Sequence, residues 1–330
     1  MKVFVTGGTG YIGSRLIQRL LEKVDVVRAL YRNEHPAIDH PSLEWVKGEL
    51  DEEEKIVRLL EGCHQVYHMA GLARMWHPQK NAFFDTNVAS TDRILKAAER
   101  VGISRIVFTS TASVISYSIK TPIQEEDPLI EPFDDEYSAS KFVAEQMVLK
   151  ASKPGFETVV VNPPRVYGPS MIGNNPVNNL VKGFLKRRFY FVPGDGSYEA
   201  NYAFIDDVVN GHILAMEKGR PGQRYILGGE NHSYNSFYQV LEKELHLKRN
   251  AVGMPRGLMS TVAAVSETMS ELFGKAPFIT GPMVNKLYSN RLLSVNKAAN
   301  ELGYIVTPLA EGLRKTIQFI NHSNGPGHGK

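Results

Sequence analysis

An α/β fold built on a doubly wound parallel sheet, with a smaller C-terminal α+β substrate lobe, is predicted from three observations. Short apolar runs alternate with amphipathic helical patterns over the first half of the chain. The first apolar run passes straight into a cluster of glycines, and residues suited to chemistry recur where the later runs end. Alternation of this kind implies right-handed βαβ crossovers and a parallel sheet. Ligands of such sheets sit beyond the carboxyl ends of the strands, which is where these residues fall.

The chain has 330 residues, enough for one large α/β domain or for a domain with a smaller companion. We divide it into a dinucleotide-binding domain over 1–165, whose core also receives later strands, a lobe over 166–320 and a disordered tail over 321–330. A formal charge of +3, from 38 basic and 35 acidic residues, gives no electrostatic case for nucleic acid. A single cysteine, Cys63, permits no intrachain disulfide and suits a reducing compartment. The first strand begins at Met1 and leaves no room for a signal peptide. No apolar run approaches the ~18 residues that span a bilayer; the nearest, 257–273, carries Glu267 and Glu271 and reads as an amphipathic helix. A cytoplasmic protein acting on a small molecule, with no nucleic-acid and no membrane partner, is the expectation.

The glycine turn comes first in the chain and fixes the rest. Gly7, Gly8, Thr9, Gly10, Tyr11, Ile12 and Gly13 follow the strand and open a helix with Leu16, Ile17, Leu20 and Leu21 at helical spacing. Glycines there let a pyrophosphate approach backbone N–H groups at the helix N-terminus. The spacing fits both G-x-G-x-x-G and G-x-x-G-x-x-G. A second strand over 24–32 ends in Leu30, Tyr31 and Arg32, none of them a carboxylate, and a basic residue at that point suits the 2′-phosphate of NADP rather than the ribose hydroxyls of NAD. A third strand, 43–47, leads through Gly48, Glu49, Leu50 and Asp51 into a helix over 53–60. A fourth, 65–68, ends in Met69, Ala70 and Gly71, small or flexible residues that admit a ligand to the backbone. His64 and His68 flank that strand without a carboxylate or cysteine in register, so they read as structural, and no metal site is expected. A helix over 82–101 and a strand over 105–110 follow, then Thr111, Ala112 and Ser113.

A long helix over 137–150 holds the reactive pair. Of fourteen tyrosines, Tyr137 alone has a lysine, Lys141, four residues later. One helical turn puts both on one face. A phenol titrates near ~10, and a neighbouring ammonium favours its anion. With the Thr111 hydroxyl holding a carbonyl or alcohol oxygen, the three form a constellation for proton transfer beside a nicotinamide. A sixth strand, 158–161, ends in Asn162, Pro163, Pro164, Arg165, Val166 and Tyr167. Beyond it the pattern loosens into loops such as 173–176 and 193–197, which we read as a lobe over the sheet. The Met-rich stretch 258–273 either caps an apolar pocket or packs into a core.

Taken together, Thr6 to Gly13, His68 to Gly71, Asn87 and Val88, Thr109 to Thr111, Tyr137 to Lys141 and Pro163 to Pro169 make the chain resemble the extended short-chain dehydrogenase/reductase family over nearly its whole length. The resemblance implies a Rossmann-type domain, Tyr137 as acid/base, Lys141 as its activator and ribose ligand, and Thr111 as the substrate-orienting hydroxyl. It implies cofactor contacts from Gly7, Thr9, Gly10, Tyr11, Ile12, Gly13, Glu49, Leu50, Met69, Ala70, Gly71, Asn87, Thr109, Pro163 and Val166, and a homodimer through paired helices. Arg32 falls where dihydroflavonol 4-reductase-like members carry their 2′-phosphate arginine. Those members also resemble the chain at Phe204 to Val208, Gly222 to Asn231 and Lys297 to Tyr304. Glu49 departs from the family's usual aspartate. Nucleotide-sugar epimerases in the family carry a glutamine and an arginine where this chain has Tyr198 and Ala200. Sugar dehydratases carry an Asp-Glu pair where it has Ala112 and Ser113. The expectation is therefore an NADP(H)-dependent oxidoreductase acting on a carbonyl or secondary alcohol of a largely uncharged substrate, contacted by Met75, Trp76, Arg165 and Tyr202. An NAD-dependent sugar or nucleotide-sugar epimerase, and a non-catalytic NADP sensor, are the alternatives.

Overall fold

The computed structural model describes residues 1–74, 76–79, 81–115, 121–127, 133–170 and 175–323. The chain opens with β1 (Lys2–Thr6), α1 (Tyr11–Leu20), β2 (Val26–Tyr31), β3 (Leu43–Lys47), α2 (Glu53–Leu60) and β4 (Gln65–His68). Then come α3 (Ala82–Phe84), a π-helical turn over Asp85–Ala89, α4 (Ser90–Val101), β5 (Arg105–Thr109), α5 (Glu136–Ala151) and β6 (Glu157–Asn162). These strands pair in parallel in the order β6-β5-β4-β1-β2-β3. The chain runs outward from β1 through β2 to β3, then returns to the other side through β4, so the order reverses between β1 and β4. That reversal opens the crevice in which ligands of doubly wound sheets bind.

Burial on both faces explains why the strands read as continuous apolar runs. Val3 and Val5 pack on one side of β1 and Phe4 on the other; Val107 and Phe108 divide in the same way, as do Val159 and Val160. The side holding Val3 is covered by α1, the other by α2, α4 and α5. The expected helix over 82–101 is interrupted by the π turn, because one extra residue is accommodated at Asp85–Ala89. Elsewhere the predicted bounds differ from the structure by one or two residues, where strand and helix ends fray.

The remaining elements are β7 (Arg165–Tyr167), α6 (Pro176–Lys186), β8 (Phe189–Pro193), β9 (Glu199–Phe204), α7 (Ile205–Lys218), β10 (Gln223–Ile226), β11 (Glu230–Ser233), α8 (Tyr234–Leu245), β12 (Asn250–Met254), α9 (Arg256–Phe273), α10 (Gly281–Leu287) and α11 (Leu309–Ser323). Two of these belong to the first domain's architecture. β10 adds to β6 as a seventh parallel strand, and α7 packs on α1. The others build the lobe around a three-stranded sheet, β11-β9-β7, and a parallel pair, β12-β8. Helix α11 carries three residues of the expected tail, Asn321 to Ser323, because Leu313, Ile317 and Ile320 on its inner face are buried. Residues 324–330 and part of the expected loop 173–176 lie outside the described residues. No helix among the described residues is long and apolar enough to cross a membrane.

Candidate active site

One cavity of about 1680 Å³ runs from the glycine turn, past the ends of β2, β4, β5 and β6, to the lobe. At its inner end the turn settles which glycine spacing matters. Gly7 adopts φ +71° with its Cα side against the Met69–Ala70 peptide, where an added Cβ would lie 2.7 Å from the Ala70 nitrogen. An added Cβ at Gly13 would overlap the Gly7 carbonyl. A Cβ at Gly8 would meet side chains rather than backbone, most closely the flexible end of Ile17. The working spacing is therefore Gly7, Gly10 and Gly13, with backbone packed on backbone at both ends. No side chain caps α1 at Gly10, so its first N–H groups face the cavity for an anion. This is a cradle that a Cβ would fill, and it fits the pyrophosphate of a dinucleotide.

The strand ends are held by a buried polar relay. The Thr6 hydroxyl accepts from the Met69 and Ala70 N–H groups at 3.1 and 3.0 Å, so its proton points to His68 Nδ1, 2.8 Å away. His68 Nε2 then donates to Thr91, whose hydroxyl donates to the Asn87 carbonyl. Burial, and then the charge of Lys141, hold the His68 imidazole neutral, with a pKa pushed down to about 3. His68 is thus a structural link, and among the described residues no group of three or more His, Cys, Asp or Glu side chains is arranged to hold a metal. Asn87 does not line the cavity. It is buried in the π turn, accepting from Leu72 N–H at 2.7 Å and donating to Ser140 at 2.9 Å, and so ties the β4 end to α5.

Arg32 stands exposed at the end of β2 and lines the cavity beside Leu30, Tyr31, Gly48, Glu49, Leu50 and Asp51. Thr9, Tyr11, Ile12, Met69, Ala70, Gly71, Thr109, Pro163 and Val166 line it as well. The Thr109 hydroxyl is engaged elsewhere, donating to His212 at 2.9 Å. His212 Nδ1–H in turn donates to the Val208 carbonyl, and burial lowers its pKa to about 4.

The expected reactive pair, Tyr137 and Lys141, lies on α5. Asp135 caps this helix, accepting from Ser138 N–H at 2.8 Å, and Lys286 of α10 pairs with it at 2.5 Å. Tyr137 and Thr111 both line the cavity. Burial pushes the Tyr137 phenol up to about 12, and the Thr111 contact partly offsets this. Lys141 is 4 % exposed, with its ammonium 4.0 Å from the centre of the Phe108 ring. Burial lowers its pKa to about 7, against the partial support of Glu145 one turn further on. Glu145 is fully buried, paired with Arg224 at 3.1 Å and bonded by Asn162 at 2.8 Å. Asn162 also donates to the Thr111 carbonyl, so the carboxylate beneath Lys141 and the loop carrying Thr111 are joined by one amide. The sequence reading missed Glu145 and Arg224; the opposite charges of Lys141 and Glu145 at i,i+4 were the available signal.

Toward the lobe the lining changes character. Arg165 donates to the Tyr234 hydroxyl at 2.8 Å, and both line the cavity with Lys286 and Arg291. Beyond them the wall is Met259, Val262, Phe278, Ile279, Met283 and Leu287. The cap reading of the Met-rich stretch is the one the structure carries, since Met259 and Val262 line the cavity and only Ala263 and Ser270 of α9 are buried. Two expected substrate contacts are corrected. Tyr202 lies in the core, stacked on Phe237 with ring centres 4.7 Å apart, and does not line the cavity. Trp76 does not line it either; Arg74 and His77 on each side do. Met75 lies outside the described residues. The cavity wall from α10, including Lys286, was not foreseen, because nothing in a short helix late in the chain signals that it returns to the cap of α5.

Comparison with known proteins gives the family and the fold. Residues 3–228 match the model of the NAD dependent epimerase/dehydratase family. A Synechocystis sp. protein bearing the name of a dihydroflavonol 4-reductase is 31% identical over 97% of this chain and 94% of its own. A Stigmatella aurantiaca 4-hydroxy-2-methyl-3-oxo-4-farnesyl-3,4-dihydroquinoline-1-oxide ketoreductase is 32% identical over 92% of each chain. The crystal structure of a Bacillus cereus UDP-glucuronic acid 4-epimerase with UDP-glucuronic acid and NAD shares the fold, with a TM-score of 0.77 at 21% identity over 98% of this chain and 99% of that one.

Proposed function

The chain belongs to the NAD-dependent epimerase/dehydratase family of extended short-chain oxidoreductases, and on that premise we propose that it is an NADP(H)-dependent reductase of a carbonyl, or oxidant of a secondary alcohol, on a largely uncharged substrate with an apolar body. The observation that carries this reading is one wall. The glycine cradle, Arg32, Thr111, Tyr137 and buried Lys141 all line the same cavity, whose far end is apolar. A nicotinamide held there would supply or accept the hydride. Thr111 and Tyr137 hold the substrate oxygen between them, and in reduction the phenol gives its proton to the developing alkoxide. Lys141, while protonated, lowers the cost of the phenolate left behind. Arg32 favours NADP by offering a guanidinium to the 2′-phosphate where no carboxylate stands among the residues of the β2 end.

Two observations support an uncharged, apolar-bodied substrate. Tyr198 packs edge-on against Tyr288 and Ala200 carries no polar side chain, so the positions that would clamp a diphosphate offer no charge. A missing charge-assisted partner there costs an anionic substrate about 1.5 to 3 kcal/mol. The named substrate of the Stigmatella ketoreductase carries a farnesyl chain, which is the kind of body the outer cavity accommodates. The second reading, a sugar or nucleotide-sugar epimerase, draws on the guanidinium groups of Arg165 and Arg291, which line the same cavity and suit an anion, Arg291 lying on the strand position paired with Ala200.

The test is a pair of proteins and a panel of lipophilic ketones. Wild type is expected to oxidise NADPH in proportion to product. Tyr137→Phe is expected to lose about 10²- to 10⁴-fold in turnover while binding NADPH as before. Full turnover by the Phe variant removes Tyr137 from the chemistry, and inversion of UDP-sugars with no net change in free cofactor selects the epimerase.

A further inference from the structure

The outer end of the cavity opens onto a surface that is itself apolar. Phe191, Val262 and Phe278 line the cavity and are at the same time exposed, Phe278 at 86 %. From this rim the apolar surface continues along α9. Leu258, Val262, Val265, Met269, Leu272 and Phe273 recur at helical spacing and are all exposed, Leu272 at 71 % and Phe273 at 64 %. At the helical repeat they form a stripe about 100° wide. An amphipathic helix on a sheet normally turns such a stripe inward; here Ala263 and Ser270 face in and the stripe faces out. Beside it, β8 pairs with β12 in a register that puts Phe191 next to Val252, and Phe189 joins Phe191 with ring centres 5.4 Å apart. Phe189, Phe191 and Val252 are exposed.

The charge around this surface has one sign over two long stretches. Lys182, Lys186, Arg187, Arg188, Lys248 and Arg256 are exposed. No acidic residue occurs between 178 and 194 or between 245 and 266. Glu271 is the exposed carboxylate of α9; Glu267 is partly buried and accepts from Gly281 N–H at 3.0 Å. Apolar side chains flanked by stretches that carry cations and no carboxylate match the boundary between acyl chains and anionic headgroups. A second copy matches less well, since a two-fold interface would set the same cations against one another.

We propose that this face seats on an anionic lipid bilayer without crossing it, so that the mouth of the cavity between Phe191, Val262 and Phe278 opens toward the acyl region and a lipophilic substrate enters without passing through water. The inference rests on the reading of the outer cavity as the place for an apolar substrate body. It differs from the sequence expectation of no membrane partner, which considered spanning segments; a stripe along a helix lying in the interface needs no such length.

The test is flotation of the full-length protein with vesicles of phosphatidylcholine alone and with vesicles of equimolar phosphatidylcholine and phosphatidylglycerol. Wild type is expected to float with the anionic vesicles, at least about tenfold more weakly with the neutral ones, and less as salt is raised. The Leu272→Glu/Phe273→Glu protein is expected to lose about tenfold or more of this binding with an unchanged near-ultraviolet circular dichroism spectrum. Lys186→Glu/Arg188→Glu is expected to lose the preference for anionic vesicles. Failure of wild type to float with anionic vesicles overturns the proposal, as does a concentration-dependent dimer that Leu272→Glu/Phe273→Glu dissolves. Flotation needs no turnover, so a failure with ketone substrates and a failure with vesicles are separate results.

Discussion

Lys141 carries the most exact expectation of any single side chain. In the proposed reaction its ammonium must be protonated to stabilise the phenolate of Tyr137, yet burial lowers its pKa to about 7. The Tyr137 phenol, held up to about 12, stays protonated through the accessible range and is ready as the acid in reduction. Reductive kcat/KM, which reports groups of the free enzyme, is therefore expected to fall as pH rises through about 7, with the limb assigned to Lys141. Stability at this site should move the other way. The unfolded lysine titrates near 10.5, so between about pH 7 and 10.5 the unfolded chain binds more protons and the folded state gains as pH rises. Denaturant titrations of wild type and Lys141→Met across that window check the sign: the rise should be present in the first and reduced in the second. Arg32 is the other decisive residue. Arg32→Ala is expected to weaken NADPH by about 10- to 100-fold, the loss of one charge-assisted contact, and to leave NADH unchanged in fluorescence titrations. An unaltered ratio of the two affinities would take the phosphate role away from Arg32.

Among the elements, the β1 turn and α1 were the easiest to foresee and α5 the hardest to foresee for the right reason. Residues 7–13 announce a turn because glycine is required where backbone meets backbone, and the structure adds which of the two spacings applies. Gly13→Ala would drive a methyl group into the Gly7 carbonyl. The turn must shift to relieve it, at a cost of about 1 to 3 kcal/mol, and cofactor affinity should fall while the far lobe keeps its stability. Isothermal titration with NADPH alongside thermal unfolding separates these effects. In α5 the buried positions are Ser138, Ser140, Lys141, Ala144, Glu145 and Val148, so no clean apolar stripe marks its inner face. It was recognised from Tyr137 and Lys141, and for the same reason the buried Glu145–Arg224 pair beneath them was overlooked. The π turn at Asp85–Ala89 was illegible because its cause is tertiary: Asn87 bonds to Leu72 and Ser140, two segments distant in sequence.

At the scale of the molecule, the parallel sheet was legible and most of the elements after β6 were not. Strands buried on both faces write themselves as apolar runs, and β1 to β6 follow directly from them. The lobe contributes its share of the cavity from α6, β8, α9 and α10, segments whose contacts are long-range and whose local patterns are weak. Hence Tyr202 and Trp76 were expected on the cavity wall while Lys286 and the apolar rim were not. The result is a cavity with two ends of different chemistry, joined at Thr111 and Tyr137. The proposed function requires that hydride pass between cofactor and substrate with a net change in both. The direct measurement is a single turnover with NADPH deuterated at the transferring position of the nicotinamide ring and a lipophilic ketone, followed by mass spectrometry of the product. One deuterium on the carbinol carbon for each NADPH oxidised is the predicted result. An inverted product without deuterium, with the cofactor unchanged, would contradict it.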